Sequence, residues 1–295
     1  MTSTAALLPT DGAPIVGLGV PVVGGSHERS SAGTAGLDVS NADRSERFSQ
    51  MRAGELGALH SWELVTAVDG PGTRMTTFLA GCPLRCLYCH NPDTMSMRRG
   101  EPVTADELLG RISRYRKIFD ATGGGVTFSG GEPLMQPAFL ARLLRGAKAM
   151  GLHTALDTSG YLGAHCSDAM LDDIDLVLLD VKSGIPETYK KVTGRELEPT
   201  LAFGRRLAER GTEMWIRFVL VPGLTDAPEN VEAVAAYAAS LSTVTRVEVL
   251  PFHQMGRDKW ESLGMTYELE DTAAPSPELV ERVRDQFRSH GLTVH

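Results

Sequence analysis

Six short runs of apolar and β-branched residues, each followed by a stretch with apolar positions three and four apart, constrain this chain more than any other feature. The runs are Arg74–Leu79, Gly125–Ser129, His153–Asp157, Leu176–Asp180, Trp215–Val221 and Arg246–Leu250. Each is apolar enough to be covered on both faces, as parallel strands are. The stretches between them predict helices near 104–119, 136–150, 166–173, 199–210 and 228–240, with Leu108, Leu109, Ile112 and Tyr115 showing the spacing. Pro228 at a helix start and Gly151 and Gly211 just past helix ends fit the usual asymmetry of helix termini. Such alternation gives an α/β fold, a parallel sheet with right-handed crossovers. Six units fall short of the eight that close a ring, so the expected architecture is a partial (β/α)6 TIM-like barrel. Trp62–Val68 is expected to be an edge strand or hairpin arm ahead of it. A last helix near 277–289 and the segment Leu292–Val294 follow without an evident place.

Residues 1 to about 50 are rich in Ala, Gly, Ser and Thr and lack any sustained period, so they bury too little apolar area to offset ordering entropy. The expected organisation is a disordered extension over 1–55 and one barrel domain over 60–295. Twenty-nine basic residues against 37 acidic ones give a net charge of −8, which excludes a general nucleic-acid or anionic-membrane binder. The most apolar stretch near the start, Ile15–Val23, is cut by Gly17, Gly19 and Pro21 and is too short to span a bilayer. It also lacks the basic flank of a secretory signal, so a cytoplasmic chain with reduced thiols is expected.

In a parallel barrel, chemistry collects on the loops after the carboxyl ends of the strands. Following the first expected strand come Cys82, Cys86 and Cys89; following the second, Ser129-Gly130-Gly131-Glu132; closing the third, Asp157-Thr158-Ser159-Gly160. The fourth ends in Asp180-Val181-Lys182 and the sixth in Pro251-Phe252-His253, while Arg217 lies inside the fifth. Apart from Arg217, every group with chemical potential falls on one face.

Four cysteines in 295 residues cannot be a disulfide scaffold, and three within eight residues point to a metal. Thiolates select soft centres, which leaves zinc, haem attachment and iron–sulfur. Structural zinc wants a fourth ligand, and only His90 is near. Haem would use Cys86-Leu87-Tyr88-Cys89-His90 and leave Cys82 unexplained. Three thiolates on a four-iron cluster leave one iron open for substrate. Cys166, alone at a helix start, reads as an ordinary buried thiol.

The spacing Cys82-x-x-x-Cys86-x-x-Cys89 in the loop after the first barrel strand resembles the signature of the radical S-adenosylmethionine enzymes. That resemblance implies a 4Fe–4S cluster whose open iron holds S-adenosylmethionine and, once reduced, cleaves it to a 5′-deoxyadenosyl radical. The protein then supplies position and shielding. Gly130-Gly131-Glu132 resembles the segment that binds the methionine amino group in that family. From about Trp62 to the C-terminus the similarity is to its glycyl-radical activases, the pyruvate formate-lyase activating enzymes. It is carried by Asp69-Gly70-Pro71-Gly72, Leu87-Tyr88-Cys89-His90-Asn91, Gly123-Gly124-Gly125-Val126-Thr127, Leu156-Asp157-Thr158, Trp215-Ile216-Arg217, Val221-Pro222-Gly223, Leu250-Pro251-Phe252-His253 and Lys259-Trp260.

By that resemblance Asn91, Gly130, Gly131, Glu132, Asp157, Thr158, Lys182, Arg217 and His253 bind the cofactor or the incoming peptide, and Asp69 sits on a loop that meets the peptide. Asp157 and Asp180, with the backbone oxygens of Thr158 and Leu178, hold a monovalent cation. The radical is carried by the cofactor, so no side chain is assigned a catalytic role. Partners implied are a pyruvate formate-lyase and a flavodoxin- or ferredoxin-type reductant, the chain itself being a monomer. Plainer roles stand beside these: helix caps for the aspartates, surface ion pairs for Lys182 and Arg217, loop packing for His253, a simple turn for Asp69–Gly72. Residues 91–124 contain no cysteine, whereas activases of several other glycyl-radical enzymes carry a ferredoxin-like module there. Three functions remain open: this activase, an enzyme with the same chemistry on another glycyl-radical enzyme or small molecule, and a non-catalytic metal-binding protein.

Overall fold

The computed structural model of the protein describes residues 33–38, 43–66 and 68–295. Part of the stretch expected to be structureless is built: Arg44–Arg52 forms helix α1, whose cap Asp43 accepts from the Glu46 N–H at 2.9 Å. Leu37 is buried in the main core, and the Trp62 N–H donates to the Gly33 carbonyl at 3.1 Å. The extension expected over 1–55 is therefore narrowed, because one leucine and one capped helix suffice where a finished surface receives them. Residues 1–32 and 39–42 of it lie outside the described residues.

Strand β1 (Leu56–Thr66) begins before the expected Trp62 and is followed by β2 (Arg74–Leu79), β3 (Glu101–Thr104), α2 (Ala105–Ser113), α3 (Arg116–Thr122) and β4 (Gly125–Gly130). Then come α4 (Pro137–Ala149), β5 (His153–Thr158), α5 (Asp168–Leu171), β6 (Leu176–Asp180), α6 (Pro186–Thr193), α7 (Glu198–Arg210), β7 (Glu213–Leu220) and α8 (Pro228–Ala239). The chain ends with β8 (Val244–Pro251), α9 (Arg257–Ser262) and α10 (Pro277–Ser289). All six expected strands are present, as is the helix expected near 277–289. The helix expected over 104–119 is two: Ser113 Oγ donates to the Gly110 carbonyl at 2.8 Å, a local bond that competes with helix continuation, and the chain turns at Tyr115. Helices α6 and α9 were not among the expected elements.

The eight strands form one sheet in the order β3-β1-β2-β4-β5-β6-β7-β8. Strand β1 is antiparallel to both neighbours, and all pairs from β2 to β8 are parallel. The ring is open between β3 and β8. Instead of forming an edge, β1 is covered by β3; its hairpin with β2 is as expected. The C-terminal segment finds its place on the border of β8, where the Val247 N–H donates to the Thr293 carbonyl and the His295 N–H to the Val247 carbonyl.

Alternation along each strand separates two interiors. Val177, Leu179, Met214, Ile216 and Phe218 point outward into the core shared with the helices, whereas Ala155, Leu176, Leu178 and Trp215 form a separate apolar cluster on the opposite face, in the lumen. The same register carries Asp157, Asp180 and Arg217 to the lumen face just beyond that cluster, since each lies an even number of positions from Ala155, Leu178 or Trp215. Apolar packing thus floors a charged upper lumen. Among the described residues no helix is long and apolar enough to cross a membrane.

Candidate active site

A cavity of about 480 Å³ opens at the carboxyl ends of the parallel strands. Its wall includes Asp69, Cys82, Cys86, Cys89, Asn91, Gly130, Gly131, Asp157, Thr158, Asp180, Lys182, Arg217 and His253. Nearly every residue singled out in the sequence is brought to one space; Glu132 is the exception.

The cysteine loop is fixed at both flanks. Gly81 N–H donates to the Thr94 carbonyl at 2.7 Å and Cys82 N–H to the Met95 carbonyl at 3.1 Å; beyond them, Arg85 and Leu87 N–H donate to the carbonyls of Thr193 and Val192 at the end of α6. All three thiols are free. Burial raises the pKa of each, that of Cys86 to about 12. Thiolates form here only if a cationic centre compensates the lost hydration, which is what a soft metal cluster supplies. Among the described residues no group of three or more His, Cys, Asp or Glu side chains is gathered as ligands of a single ion. A cube presents separate corners, so three sulfurs ringing one cavity suit it without meeting at a point. Cys166 is buried and does not line the cavity.

The glycine pair is dictated by backbone proximity. Gly130 has φ 127°, and a Cβ there would lie 2.3 Å from the Leu79 backbone; one on Gly131 would lie 2.4 Å from the Gly81 carbonyl. The loops after β2 and β4 touch, and bare backbone faces the cavity. Glu132, expected among the cofactor contacts, does not line the cavity; its carboxylate is engaged within the protein. Its fully buried carboxylate accepts from Thr158 Oγ1 at 2.7 Å, Ser159 N at 3.0 Å, Ser159 Oγ at 2.6 Å and Leu134 N at 3.2 Å. Burial, only partly offset by these donors, raises its pKa. Glu132 clamps the glycine loop to the end of β5.

Charges in the lumen are paired. Arg217 donates from Nη1 to Asp157 at 3.3 Å, from Nε to Glu248 at 3.0 Å, and from Nη2 to Asp69 at 3.3 Å and to the Val68 carbonyl. Burial alone would lower its pKa, but the carboxylates of Asp157, Asp69, Asp180 and Glu248 outweigh it and hold the guanidinium charged. Asp157 is pushed up to about 6, first by burial and then by Asp180 and Asp69, with Arg217 and the Ser129 hydroxyl at 2.6 Å opposing. Lys182 Nζ lies 2.7 Å from Asp180 and 5.8 Å from the Tyr88 ring. Each carboxylate of the expected cation pair therefore has a cation from the chain itself. Asp69 also accepts from Thr76 Oγ1 at 3.1 Å and, through its carbonyl, from Thr127 Oγ1 at 2.7 Å, so its loop is tied into the lumen rather than left as a plain turn.

His253 stacks on His90, with centroids 4.0 Å apart and planes at 27°. Its Nδ1 is buried without a hydrogen-bond partner among the described residues, as is the Tyr88 hydroxyl; both residues line the cavity, so polar ligand atoms would find donors or acceptors there. Asn91 Oδ1 accepts from Lys259 Nζ at 2.7 Å. Tyr88, Ser129, Ser159 and Phe78 also line the cavity, though no site role was expected of them. Tyr88, Ser129 and Ser159 each adjoin a chosen residue, namely Cys89, Gly130 and Thr158, whereas Phe78 lies inside β2 with no such neighbour.

The radical S-adenosylmethionine superfamily model matches residues 76–235 of this chain. The chain is 45% identical over 223 residues to the pyruvate formate-lyase-activating enzyme of Clostridium pasteurianum, covering 76% of this chain and 93% of that protein. It is 38% identical over 241 residues to the pyruvate formate-lyase 1-activating enzyme of Escherichia coli K12, covering 81% and 98%. Among solved structures, a radical S-adenosylmethionine methyltransferase from Sphaerobacter thermophilus shares the fold, with TM-score 0.56, 16% identity, and coverage of 86% and 81%. With its open barrel, three-cysteine loop and this degree of identity, the chain belongs to the radical S-adenosylmethionine superfamily, in the family of the pyruvate formate-lyase activating enzymes.

Proposed function

We propose that the chain activates a pyruvate formate-lyase by generating a glycyl radical on it, and that Cys82, Cys86 and Cys89 hold the cluster of this family. When bound, the 4Fe–4S cluster and S-adenosylmethionine supply the chemistry: one-electron cleavage of the sulfonium gives a 5′-deoxyadenosyl radical able to take a hydrogen atom from a glycine Cα. The observation that carries this reading is the convergence of three free thiols, two bare glycines and paired charges on one cavity, in a chain 38–45% identical to such activases.

The residues of the chain position and shield. Gly130 and Gly131 let a ligand approach the backbone closely. His253 Nδ1 and the Tyr88 hydroxyl offer buried hydrogen-bonding atoms, and Asn91 is oriented by Lys259. Asp157, Asp180 and Lys182 provide a pre-paired polar wall. A monovalent cation would bind Asp157 and Asp180 by displacing Arg217 or Lys182 from them. Asp69, tied to Arg217, stands where an incoming peptide meets the lumen. The apolar floor excludes water from beneath. A glycine target fits because no side chain shields its Cα. The reading further places the chain in the cytoplasm as a monomer reduced by a flavodoxin- or ferredoxin-type protein.

The test is anaerobic: reconstitute with iron and sulfide, reduce, add S-adenosylmethionine and pyruvate formate-lyase, and record the electron paramagnetic resonance spectrum. A glycyl doublet on the lyase is expected, and Cys86→Ala should abolish cluster content and doublet together. One zinc per chain without sulfide would end the reading. A cluster and S-adenosylmethionine cleavage without a doublet would move the target to another glycyl-radical enzyme or a small molecule.

A further inference from the structure

The chain is acidic overall, yet basic side chains gather on the outer side of the cysteine loop. Segments 81–100 and 186–196 carry six Lys and Arg against three Asp and Glu, in a chain whose net charge is −8. Four of those cations gather around the cysteine loop. Exposed Arg85 donates from Nη1 to the Cys82 carbonyl at 2.8 Å and to the Leu84 carbonyl at 2.7 Å. Exposed Arg195 donates from Nε to the Pro83 carbonyl at 2.8 Å. Lys190 and Lys191 project from the last turn of α6, the segment whose Val192 and Thr193 carbonyls accept from Leu87 and Arg85. Lys191 makes no ion pair among the described residues, and Lys190 meets only Glu196, at 2.8 Å with both side chains largely in solvent. None of these cations lines the cavity.

We infer that this face, made by Arg85, Lys190, Lys191 and Arg195, is where an acidic one-electron carrier protein docks to reduce the cluster. The inference rests on the proposed function and deepens it by placing the electron-entry side. The other side of the loop belongs to substrate, since Cys82, Cys86 and Cys89 face the cavity, so an electron has to arrive from behind. Arg85 makes that back side short: its exposed guanidinium is one hydrogen bond from the carbonyl of a cluster ligand. Charge complementarity then selects the carrier. A basic patch beside the cluster loop steers an acidic partner toward it and raises its on-rate, with an effect that salt screens. In the transfer, one electron leaves the reduced carrier and enters the cluster; the carrier is oxidised by one electron and no proton or bond changes hands.

The experiment uses the reconstituted full-length protein and an acidic flavodoxin reduced to its hydroquinone, with cluster reduction followed by anaerobic stopped-flow absorbance. Wild-type protein should be reduced at a rate that falls steeply with added salt. Lys190→Glu/Lys191→Glu should slow reduction about tenfold or more at low salt and flatten the salt dependence, while Glu187→Lys/Glu196→Lys should speed it up. Both variants leave Arg85 and Arg195 in place to hold the loop. A neutral small reductant, photoexcited deazaflavin, should reduce all three proteins alike and give equal S-adenosylmethionine cleavage, so cluster loading is checked separately. Wild-type rates and salt slopes in both variants would overturn the inference. Failure of the wild type to cleave S-adenosylmethionine with deazaflavin would instead overturn the proposed function, and the inference with it.

Discussion

Glu132 belongs to the glycine segment by sequence, but its carboxylate is bound within the protein rather than lining the cavity. Its side chain has no spare acceptor capacity facing the cavity, because Thr158, Ser159 and Leu134 take both oxygens. Replacing it by Gln puts an amide donor where Ser159 presents an N–H and a hydroxyl, and the buried mismatch should cost about 1–3 kcal/mol. Chemical denaturation should register that loss, and cluster content should survive if the glycine loop stays in place. Motif order alone revealed that Gly130, Gly131 and Glu132 belong together. Which of them faces the cavity depended on contacts between residues 26 apart, such as Thr158 and Glu132, which no local pattern contains. Arg217 received its site role only through the resemblance, and alternation along β7 from Trp215 explains why it reaches the lumen. Its three carboxylate partners come from three other segments, and only assembly of the barrel joins them.

Among the elements, the short helix α9 does more than its length suggests. Lys259 Nζ reaches Asn91 Oδ1 at 2.7 Å and Asp93 at 3.4 Å, Trp260 Nε1 donates to the Cys89 carbonyl at 2.9 Å, and a Cβ on Gly256 would lie 2.9 Å from that same carbonyl. Six residues near the end of the chain latch the loop near its beginning. Lys259→Met frees Asn91 and removes a charge-assisted bond, so S-adenosylmethionine affinity should fall about tenfold with a smaller change in maximal rate, as measured by equilibrium binding and cleavage kinetics. At the opposite ends of the strands, Asp175 ties β5 and β6 to α4. It accepts from Lys148 Nζ at 2.7 Å and from Thr154 N at 2.8 Å. Burial would raise its pKa, but these donors outweigh burial and hold it below the usual carboxylate range. A lowered folded-state pKa stabilises above the unfolded value near 4 and loses that contribution as pH falls through the folded value. Asp175→Asn should thus cost about 1 kcal/mol at pH 7, with half-solvated geometry limiting the effect, and the gap to wild type should close below pH 4 in denaturation curves. Strands were read well because burial on both faces leaves an apolar run; latches were not, since their partners lie far off in sequence.

Over the whole molecule, the open barrel was legible from the count of strand–helix units, while the antiparallel border of β1 and β3 was not, because β3 has four residues and little pattern. The structured part of the N-terminal extension adds to this border. Leu37 enters the core, Arg111 donates to the Gly36 carbonyl and lies 5.4 Å from the Trp62 ring, and α1 rests on α4 and β1. A chain beginning at Gly54 should therefore unfold several degrees lower than the full-length protein in thermal scans, as loss of one buried leucine and its contacts costs about 2–3 kcal/mol. Unchanged melting would mean the extension rests on the barrel without stabilising it.

An incomplete ring leaves two raw selvedges, and each is finished differently. On one, the sheet stops at a four-residue strand bearing Pro102, too brief to seat another chain; on the other, residues 293–295 are stitched along β8. Both are ways of blunting templated growth. Among the described residues, neither border of the open ring then offers a long bare strand to which a further chain could be added.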